Sequence, residues 1–304
     1  MSDSAIHALA GAAGGIVAMT ATYPLVFLST RAAVKIKNET KSVYEAVKEI
    51  LEREGVLGLY SGLSSSLLGI AITNGVYYYF YERTRGIILK SRVGSKGLST
   101  MESIITGLIA GSATTIISNP IWVIQTSQAV QTMDSESKDV TPRRKLGFIE
   151  TVQHIISKAG ITGFWRGIGP ALVLVVNPVL QYTVFEQLKN FLVTKRKARS
   201  KLSGSALLTD WDFFVLGALS KLVATSVTYP YIVVKSRLQA GQSEALKYKS
   251  SFEALSAIVR EEGVEGLYKG MSSKLLQSVL TAAILFAGQR RIYEFTKAAI
   301  AMKS

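Results

Sequence analysis

The sequence GALSKLVATSVTYPYIVVKSR at residues 217–237 has two related copies earlier in the chain. These are GAAGGIVAMTATYPLVFLSTR at 11–31 and GLIAGSATTIISNPIWVIQTS at 107–127. In each copy a glycine stands thirteen residues before a proline, and the residues between them are mostly small or apolar. An internal repeat on this scale fixes the architecture more firmly than any single motif. The chain is therefore predicted to consist of three tandem units.

Two further blocks recur after each copy. The first reads EGVLGLYSG at 54–62, AGITGFWRG at 159–167 and EGVEGLYKG at 262–270, and a short amphipathic segment precedes it at 42–53, 148–158 and 252–262. These segments are too short and too charged to cross a bilayer, so we expect them to lie along its surface. The second block pairs an aromatic residue and an acid with a base: YERTR at 81–85, FEQLK at 185–189 and, displaced by about one helical turn, YEFTK at 293–297.

Composition favours a membrane protein. Hydrophobic residues make up 48% of the 304 residues, charged residues only 18%, and the net charge is +14. Apolar stretches at 5–28, 63–82, 103–124, 168–186, 211–234 and 271–289 approach the ~20 residues that cross a bilayer as a helix. The chain has no cysteine, and its two histidines fit no metal pattern. We therefore expect that the protein is not an enzyme and has neither a cofactor nor a metal site. We also expect no binding of nucleic acid, because the basic residues cluster at helix ends.

The predicted fold is an all-α membrane protein with six transmembrane helices and three short amphipathic surface helices. Its single domain, 1–304, would comprise repeats 3–90, 100–194 and 208–299 with pseudo-threefold symmetry. A soluble helical repeat protein is disfavoured, because such units are shorter, at 20–50 residues, and carry charged exposed faces. Each first helix should be kinked by its proline, which lacks a backbone donor: Pro24, Pro120 and Pro230.

These motifs together resemble the mitochondrial carrier family over nearly the whole chain. That family normally reads P-x-acid-x-x-base-x-base after the proline, whereas Val26, Trp122 and Ile232 stand at the acid positions here. The resemblance therefore implies that the family's matrix-side salt-bridge ring is missing, and our hypothesis is that apolar packing of these three residues, together with weaker polar contacts, holds that gate. On the opposite side it implies a gate network of acids and bases: Glu82, Arg85, Glu186, Lys189, Glu294 and Lys297.

Within the family, NPIWVIQT at 119–126 and GPALVLVVNPVLQYTVFE at 169–186 resemble carriers of nucleotides and nucleotide-like cofactors. YPLVFLSTR and TYPYIVVKSR resemble the peroxisomal branch. This resemblance implies exchange of ATP for AMP or ADP across the peroxisomal membrane by alternating access, in support of fatty-acid activation and β-oxidation. The alternative is a carrier of CoA, FAD or NAD in the peroxisomal or the mitochondrial inner membrane.

A phosphate-bearing substrate requires cations within the membrane, and bases require stacking surfaces and hydrogen bonds. The family register adds contact sites near residues 69–70, 173–174 and 277–278. The candidate substrate-binding residues are Arg31, Gly69, Ile70, Asn74, Tyr78, Val173, Leu174, Asn177, Gln181, Lys235, Arg237, Lys274, Gln277 and Ser278. Asn177 has a structural alternative, as a polar group beside the helix break at Pro178. Lys221 is interpreted as a snorkelling or inter-helix structural lysine.

The expected partners are small nucleotides and membrane lipid. The basic run TKRKARSK at 194–201 is interpreted either as a cytosol-side topology determinant or a patch for anionic lipid, or as a signal read by a peroxisomal import receptor. We expect the protein to be a monomer.

Overall fold

The computed structural model describes residues 3–35, 43–91, 97–131, 146–199, 208–241 and 250–281, and the regular structure in these ranges is helical. The helices are α1 (Asp3–Val34), α2 (Val43–Glu54), α3 (Leu63–Lys90), α4 (Thr100–Val130), α5 (Phe148–Ala159), α6 (Ile168–Val173), α7 (Asn177–Arg199), α8 (Asp210–Ala240) and α9 (Ser251–Gly266), followed by α10 at 271–281. Five stretches are long and apolar enough to cross a membrane, and the structure describes the sixth predicted span, 271–289, only as far as residue 281. The predicted all-α membrane fold is confirmed.

The three prolines lie inside long helices and do not end them. Pro24 is inside α1, Pro120 inside α4 and Pro230 inside α8. Apolar neighbours on both sides keep each helix in the membrane, where an interrupted backbone would leave polar groups without partners. Each repeat therefore opens with a single spanning helix that continues past its proline.

The second spanning segment of repeat two is not one regular helix, as 168–186 was expected to be. It consists of α6, a 3₁₀ turn at Leu174–Val176, and α7. Pro178 has no N–H group, so the carbonyl of Leu174 cannot receive its ordinary helical bond. That carbonyl instead accepts from the backbone N–H of Asn177, which tightens the turn.

The core lies at one end of the molecule, where the surface helices α2, α5 and α9 meet the C-terminal halves of α1, α4 and α8. We call this the closed end. In each repeat an isoleucine of the surface helix and a large apolar residue of the following block are buried against two neighbouring apolar residues after the proline. The matched sets are Ile50, Leu59, Phe27 and Leu28; Ile155, Phe164, Val123 and Ile124; and Ile258, Leu267, Val233 and Val234.

Three glycine turns join the repeats into a ring. Gly62, Gly167 and Gly270 have φ of 87°, 71° and 82°, a region that side chains disfavour. A methyl group on each would meet a backbone carbonyl oxygen of the next repeat: Gln125 on α4 at 3.2 Å, Lys235 on α8 at 3.0 Å and Ser29 on α1 at 2.6 Å. Repeat one thus packs on two, two on three and three on one, as pseudo-threefold symmetry requires.

Replacing Gly167 by alanine should destabilise the protein more than the same change at Gly241. Both glycines are left-handed, with φ of 71° and 69°, so both variants incur about 1–2 kcal/mol of backbone strain. Only Gly167 faces a fixed carbonyl oxygen, whereas the atom nearest Gly241 is the end of the flexible Arg166 side chain. We expect about 2–4 kcal/mol for Gly167→Ala. Thermal unfolding in detergent checks this, and equal losses in the two variants would contradict it.

Candidate functional site

The closed end is anchored by the residue before each proline. Tyr23 donates its hydroxyl hydrogen to the carbonyl of Ser61 at 2.9 Å, and Tyr229 donates to that of Lys269 at 3.1 Å. In repeat two, the amide of Asn119 donates to the carbonyl of Arg166 at 3.1 Å. Each acceptor stands directly before the glycine of the turn. These anchors were missed from the sequence, although the recurrent polar residue before the proline was a visible signal.

At this end two arginines each connect three helices. Arg237 on α8 binds both carboxylate oxygens of Glu262 on α9, one at 2.9 Å, and donates to the carbonyl of Ala33 on α1 at 3.0 Å. Arg31 on α1 binds Glu54 and the carbonyl of Ala129 on α4, both at 2.7 Å. Arg31 and Arg237 were predicted to bind substrate, but neither belongs to the lining of the two cavities described below.

Ion pairs therefore help to hold the helices together at the closed end. Although the acids of the family motif are absent, Glu54 and Glu262 from the following block serve the arginines instead. Only 2% and 3% of the Arg237 and Glu262 side chains are exposed, and Lys269 adds a contact of 2.5 Å to the same carboxylate. The closed end thus combines apolar packing with buried ion pairs that the sequence analysis did not predict.

Repeat two lacks this pair, because Ser127 and Ala159 occupy the positions of the arginine and the glutamate. Neutral groups connect α4 to α8 in their place. Thr126 donates to the side-chain carbonyl of Gln239 at 3.3 Å, and the Gln239 amide donates to Asn119 at 3.1 Å. The contacts between neighbouring repeats therefore differ in chemistry, because those of repeats one and three use an ion-paired arginine and that of repeat two uses neutral groups.

Stability should decrease in acid because of Glu262. Burial raises its pKa, but the hydrogen bonds from Arg237 and Lys269 outweigh burial and hold the pKa below the ordinary value of 4.5. A depressed folded-state pKa gives stability that is complete above the unfolded pKa and is lost as pH falls through the folded one. We expect the unfolding temperature to decrease as the pH is lowered below about 4.5. A Glu262→Gln variant should show a shallower acid decline, and an identical profile would contradict this assignment.

Above the closed end lies a central cavity of about 720 Å³. It is bounded by α1, α4, α8 and α10 and by the start of α7. Val26, Trp122 and Ile232 all line it, but they contact different partners. Val26 packs with the core of repeat one and Ile232 with that of repeat three, while the indole of Trp122 donates to Thr73 at 3.2 Å. The hypothesis that these three residues form the gate remains a prediction.

The charges of this cavity are positive. Lys221 and Lys235 from α8 and Lys274 from α10 line it, and no carboxylate belongs to the lining that the described residues form. Lys274 lies within electrostatic range of both other lysines. Within the described ranges no three histidine or acidic side chains cluster as metal ligands. The chemistry available here is the binding of an anion.

The central cavity brings together six of the predicted contact residues. They are Leu174, Asn177, Lys235, Lys274, Gln277 and Ser278. Asn177 donates its amide to the carbonyl of Ala224 at 3.2 Å and to the hydroxyl of Thr228 at 2.6 Å, so its donors tie α7 to α8. Gln277 donates its amide to Thr281 at 3.1 Å, and its buried side-chain carbonyl has no hydrogen-bond partner among the described residues. Gln277 therefore keeps an unused acceptor, which a ligand can reach only once this side chain turns toward the cavity.

The other predicted contacts do not line this cavity. Gly69 is buried, and a methyl group on it would meet Ile121 and the indole of Trp122 at 3.4 Å. Tyr78 is exposed and packs edge-on against Tyr77. The remaining residues outside the lining are Ile70, Asn74, Val173 and Gln181. Their assignment rested on the resemblance, and their role stays a prediction.

A second cavity of about 700 Å³ lies between α3, α4, α6 and α7 and adjoins the first. The two share Trp122, Lys235 and two further residues, Leu174 and Pro178. Its lining also includes Tyr77 and Tyr182, which the sequence analysis did not select. Lys235 therefore stands where the two cavities meet, within reach of both.

The predicted gate residues at the opposite end pair within their own helices. Arg85 binds Glu82 at 3.1 Å, and Lys189 binds Glu186 at 2.6 Å, each three residues apart. Glu294 and Lys297 lie outside the described residues. In this conformation the two described pairs tie no helix to another. We call this end the open end.

Helices long enough to span a membrane, arranged in three similar units around a charged cavity, define a membrane transporter. The family model described as "Mitochondrial carrier protein" matches residues 2–92, 96–196 and 208–304. The chain therefore belongs to the mitochondrial carrier family, whose members are transporters.

Curated relatives refine this assignment. The chain is 38% identical to "Peroxisomal nicotinamide adenine dinucleotide carrier" of Arabidopsis thaliana, with 94% of each chain covered. It is 35% identical to "Peroxisomal membrane protein PMP47B" of Candida boidinii, with 93% of this chain and 84% of the relative covered. It is 32% identical to "Peroxisomal membrane protein PMP34" of Mus musculus, with 99% and 96% covered. The predictions of the peroxisomal branch and of a multi-pass protein of the peroxisomal membrane are confirmed.

Proposed function

We propose that the protein exchanges adenine nucleotides, ATP against AMP or ADP, across the peroxisomal membrane. The observation that carries this proposal is the set of three lysines, Lys221, Lys235 and Lys274, in a cavity whose described lining has no carboxylate. ATP delivered in this way would support fatty-acid activation and β-oxidation inside the organelle.

The charge of the cavity matches a terminal phosphate. A phosphomonoester carries about −1.5 to −2 charges at neutral pH, and the bridging phosphates of ATP and ADP add more. Lysines within a membrane are costly unless an anion or water offsets their charge. Three lysines therefore favour nucleotides with a free phosphate chain over ligands with a single negative charge.

The cavity also has groups for a base. Trp122 offers an aromatic face on which a base can stack. The unpartnered side-chain carbonyl of Gln277 can accept a hydrogen bond from the exocyclic amine of adenine, which is a donor. This assigns the phosphates to the lysines and the base to Gln277.

Alternating access follows from the difference between the two ends. Buried ion pairs hold the closed end, whereas the acids and bases of the open end pair within their helices. Substrate enters from the open end. When that end closes, Glu82, Arg85, Glu186 and Lys189 are available to exchange their local partners for partners on neighbouring helices. Each exposed pair contributes only about 0–1 kcal/mol, which keeps the step reversible.

The second candidate is exchange of a nucleotide cofactor such as NAD, CoA or FAD. The Arabidopsis relative is named for nicotinamide adenine dinucleotide, and the second cavity provides room for a second nucleotide beside Lys235. A dinucleotide would place its diphosphate near that lysine and one ring system in each cavity.

Transport into liposomes that contain the purified protein separates these candidates. Labelled ATP is offered outside, and the liposomes are preloaded with AMP, ADP, CoA, NAD or nothing. We expect rapid ATP uptake only against internal AMP or ADP. Exchange of labelled NAD or CoA without uptake of ATP would replace the first candidate by the second, and no exchange of any nucleotide would overturn both.

The partners of the surface remain proposals. Lys195 and Lys197 in the basic run are exposed, whereas Arg196 binds Asp212 at the start of α8 with two contacts of 2.6 Å. Arg196 thus holds this part of the run against α8, while Lys195 and Lys197 face outward. Anionic lipid or an import receptor fits these exposed charges. We propose that the protein acts as a monomer.

A further inference from the structure

Lys221 occupies a position at which the other two repeats have glycine. It follows the first glycine of the repeated stretch by four residues, as do Gly15 and Gly111. In repeat two, a methyl group on Gly111 would approach a side-chain carbon of Val175 to 2.6 Å. This position therefore brings α4 close to the neighbouring helix, and glycine permits that approach. Lysine at the same position in repeat three is the exception.

The side chain of Lys221 faces the central cavity and has no counter-charge in the described lining. It is solvent-exposed there and repels Lys274. Apart from Lys235 and Lys274, the polar residues that α8 and α10 contribute to the lining are neutral, among them Thr225 and Gln277.

Closing the open end would change the surroundings of Lys221. The helices that line the central cavity would approach one another at the depth of Lys221. Lys221 would lose its water, and an ionised group without a counter-charge is strongly disfavoured in a dry environment. A phosphate group in the cavity would provide the missing charge.

We propose that Lys221 couples closure of the open end to the presence of substrate. The bound phosphate neutralises the ammonium group, so the loaded protein closes readily and the empty protein does not. The consequence is obligatory exchange, because the carrier can return across the membrane only when another anion occupies the cavity. This inference rests on the proposed function, since it requires an anionic substrate.

The test compares net transport with exchange in the same liposomes. Vesicles loaded with labelled ATP are diluted into buffer without nucleotide, which measures net efflux, or into buffer with ADP, which measures exchange. For Lys221→Gly, which restores the residue of the other repeats, and for Lys221→Met, we expect the ratio of net efflux to exchange to rise at least about tenfold. Lys221→Arg should keep the ratio of the unchanged protein, as should Lys158→Met, which removes an exposed lysine of the surface helix α5.

Because both rates come from the same preparation, the ratio does not depend on how much variant protein inserts. An unchanged ratio in both Lys221→Gly and Lys221→Met would overturn the inference, and so would an unchanged protein whose net efflux equals its exchange. Neither result would contradict nucleotide transport. Failure of the unchanged protein to exchange ATP, AMP, ADP, NAD or CoA would instead contradict the proposed function itself.

Discussion

Replacing Glu262 by alanine is expected to destabilise the protein by about 3–5 kcal/mol, the usual loss when one partner of a buried ion pair is removed. The guanidinium group of Arg237, only 2% exposed, would keep its bond to the Ala33 carbonyl but lose its carboxylate. Lys269 would lose a contact of 2.5 Å as well. Thermal unfolding of the purified protein in detergent measures the loss.

Two comparisons sharpen this test. Glu82→Ala removes an acid from a pair whose side chains are 40% and 58% exposed, so the loss should be at most about 1 kcal/mol. Adding Arg237→Met to Glu262→Ala removes the charge that was left behind and should restore part of the stability. If Glu82→Ala and Glu262→Ala were equally stable, the closed end would not depend on its buried charges.

Replacing Lys235 by methionine should lower the affinity for ATP, so that the half-saturation concentration of exchange rises by about ten- to a hundredfold. Hydrogen bonds to charged groups contribute about 1.5–3 kcal/mol, and each 1.4 kcal/mol corresponds to about tenfold in affinity. Lys235 is chosen because it lines both cavities. Initial exchange rates at increasing external ATP give the half-saturation value.

Lys158→Met is the matched control for this charge removal, because Lys158 is exposed on α5, away from both cavities. Lys235→Arg preserves the charge and should retain most of the affinity. A Lys235→Met protein with unchanged half-saturation would show that the phosphate chain binds elsewhere in the cavity.

The sequence predicted the features that arise locally. Three prolines at matched spacing indicated three long helices, and the amphipathic segments indicated surface helices. Both depend on residues close together in the chain. The irregular segment at Leu174–Val176 also has a local cause, Pro178, but its length depends on how the freed carbonyl is satisfied.

The contacts of the arginines could not be read in the same way. Arg31 and Glu54 are 23 residues apart, and Arg237 and Glu262 are 25 apart. Their meeting depends on the tertiary packing of a surface helix. The empty acid positions near the prolines suggested an uncharged closed end, while the acids of the next block went unassigned. The position of Lys221 likewise depends on the rotation of α8 about its axis, which its sequence does not specify.

The absence of the arginine–glutamate pair from repeat two bears on how a chain of repeats can diverge. Ser127 and Ala159 replace both partners of the pair that the other two repeats keep. Loss of the arginine alone would leave a carboxylate buried without its counter-charge, at a cost of about 3–5 kcal/mol, comparable to the whole stability of many domains. The arginine and the glutamate, although distant in sequence, are therefore expected to be kept together or lost together when a repeat diverges.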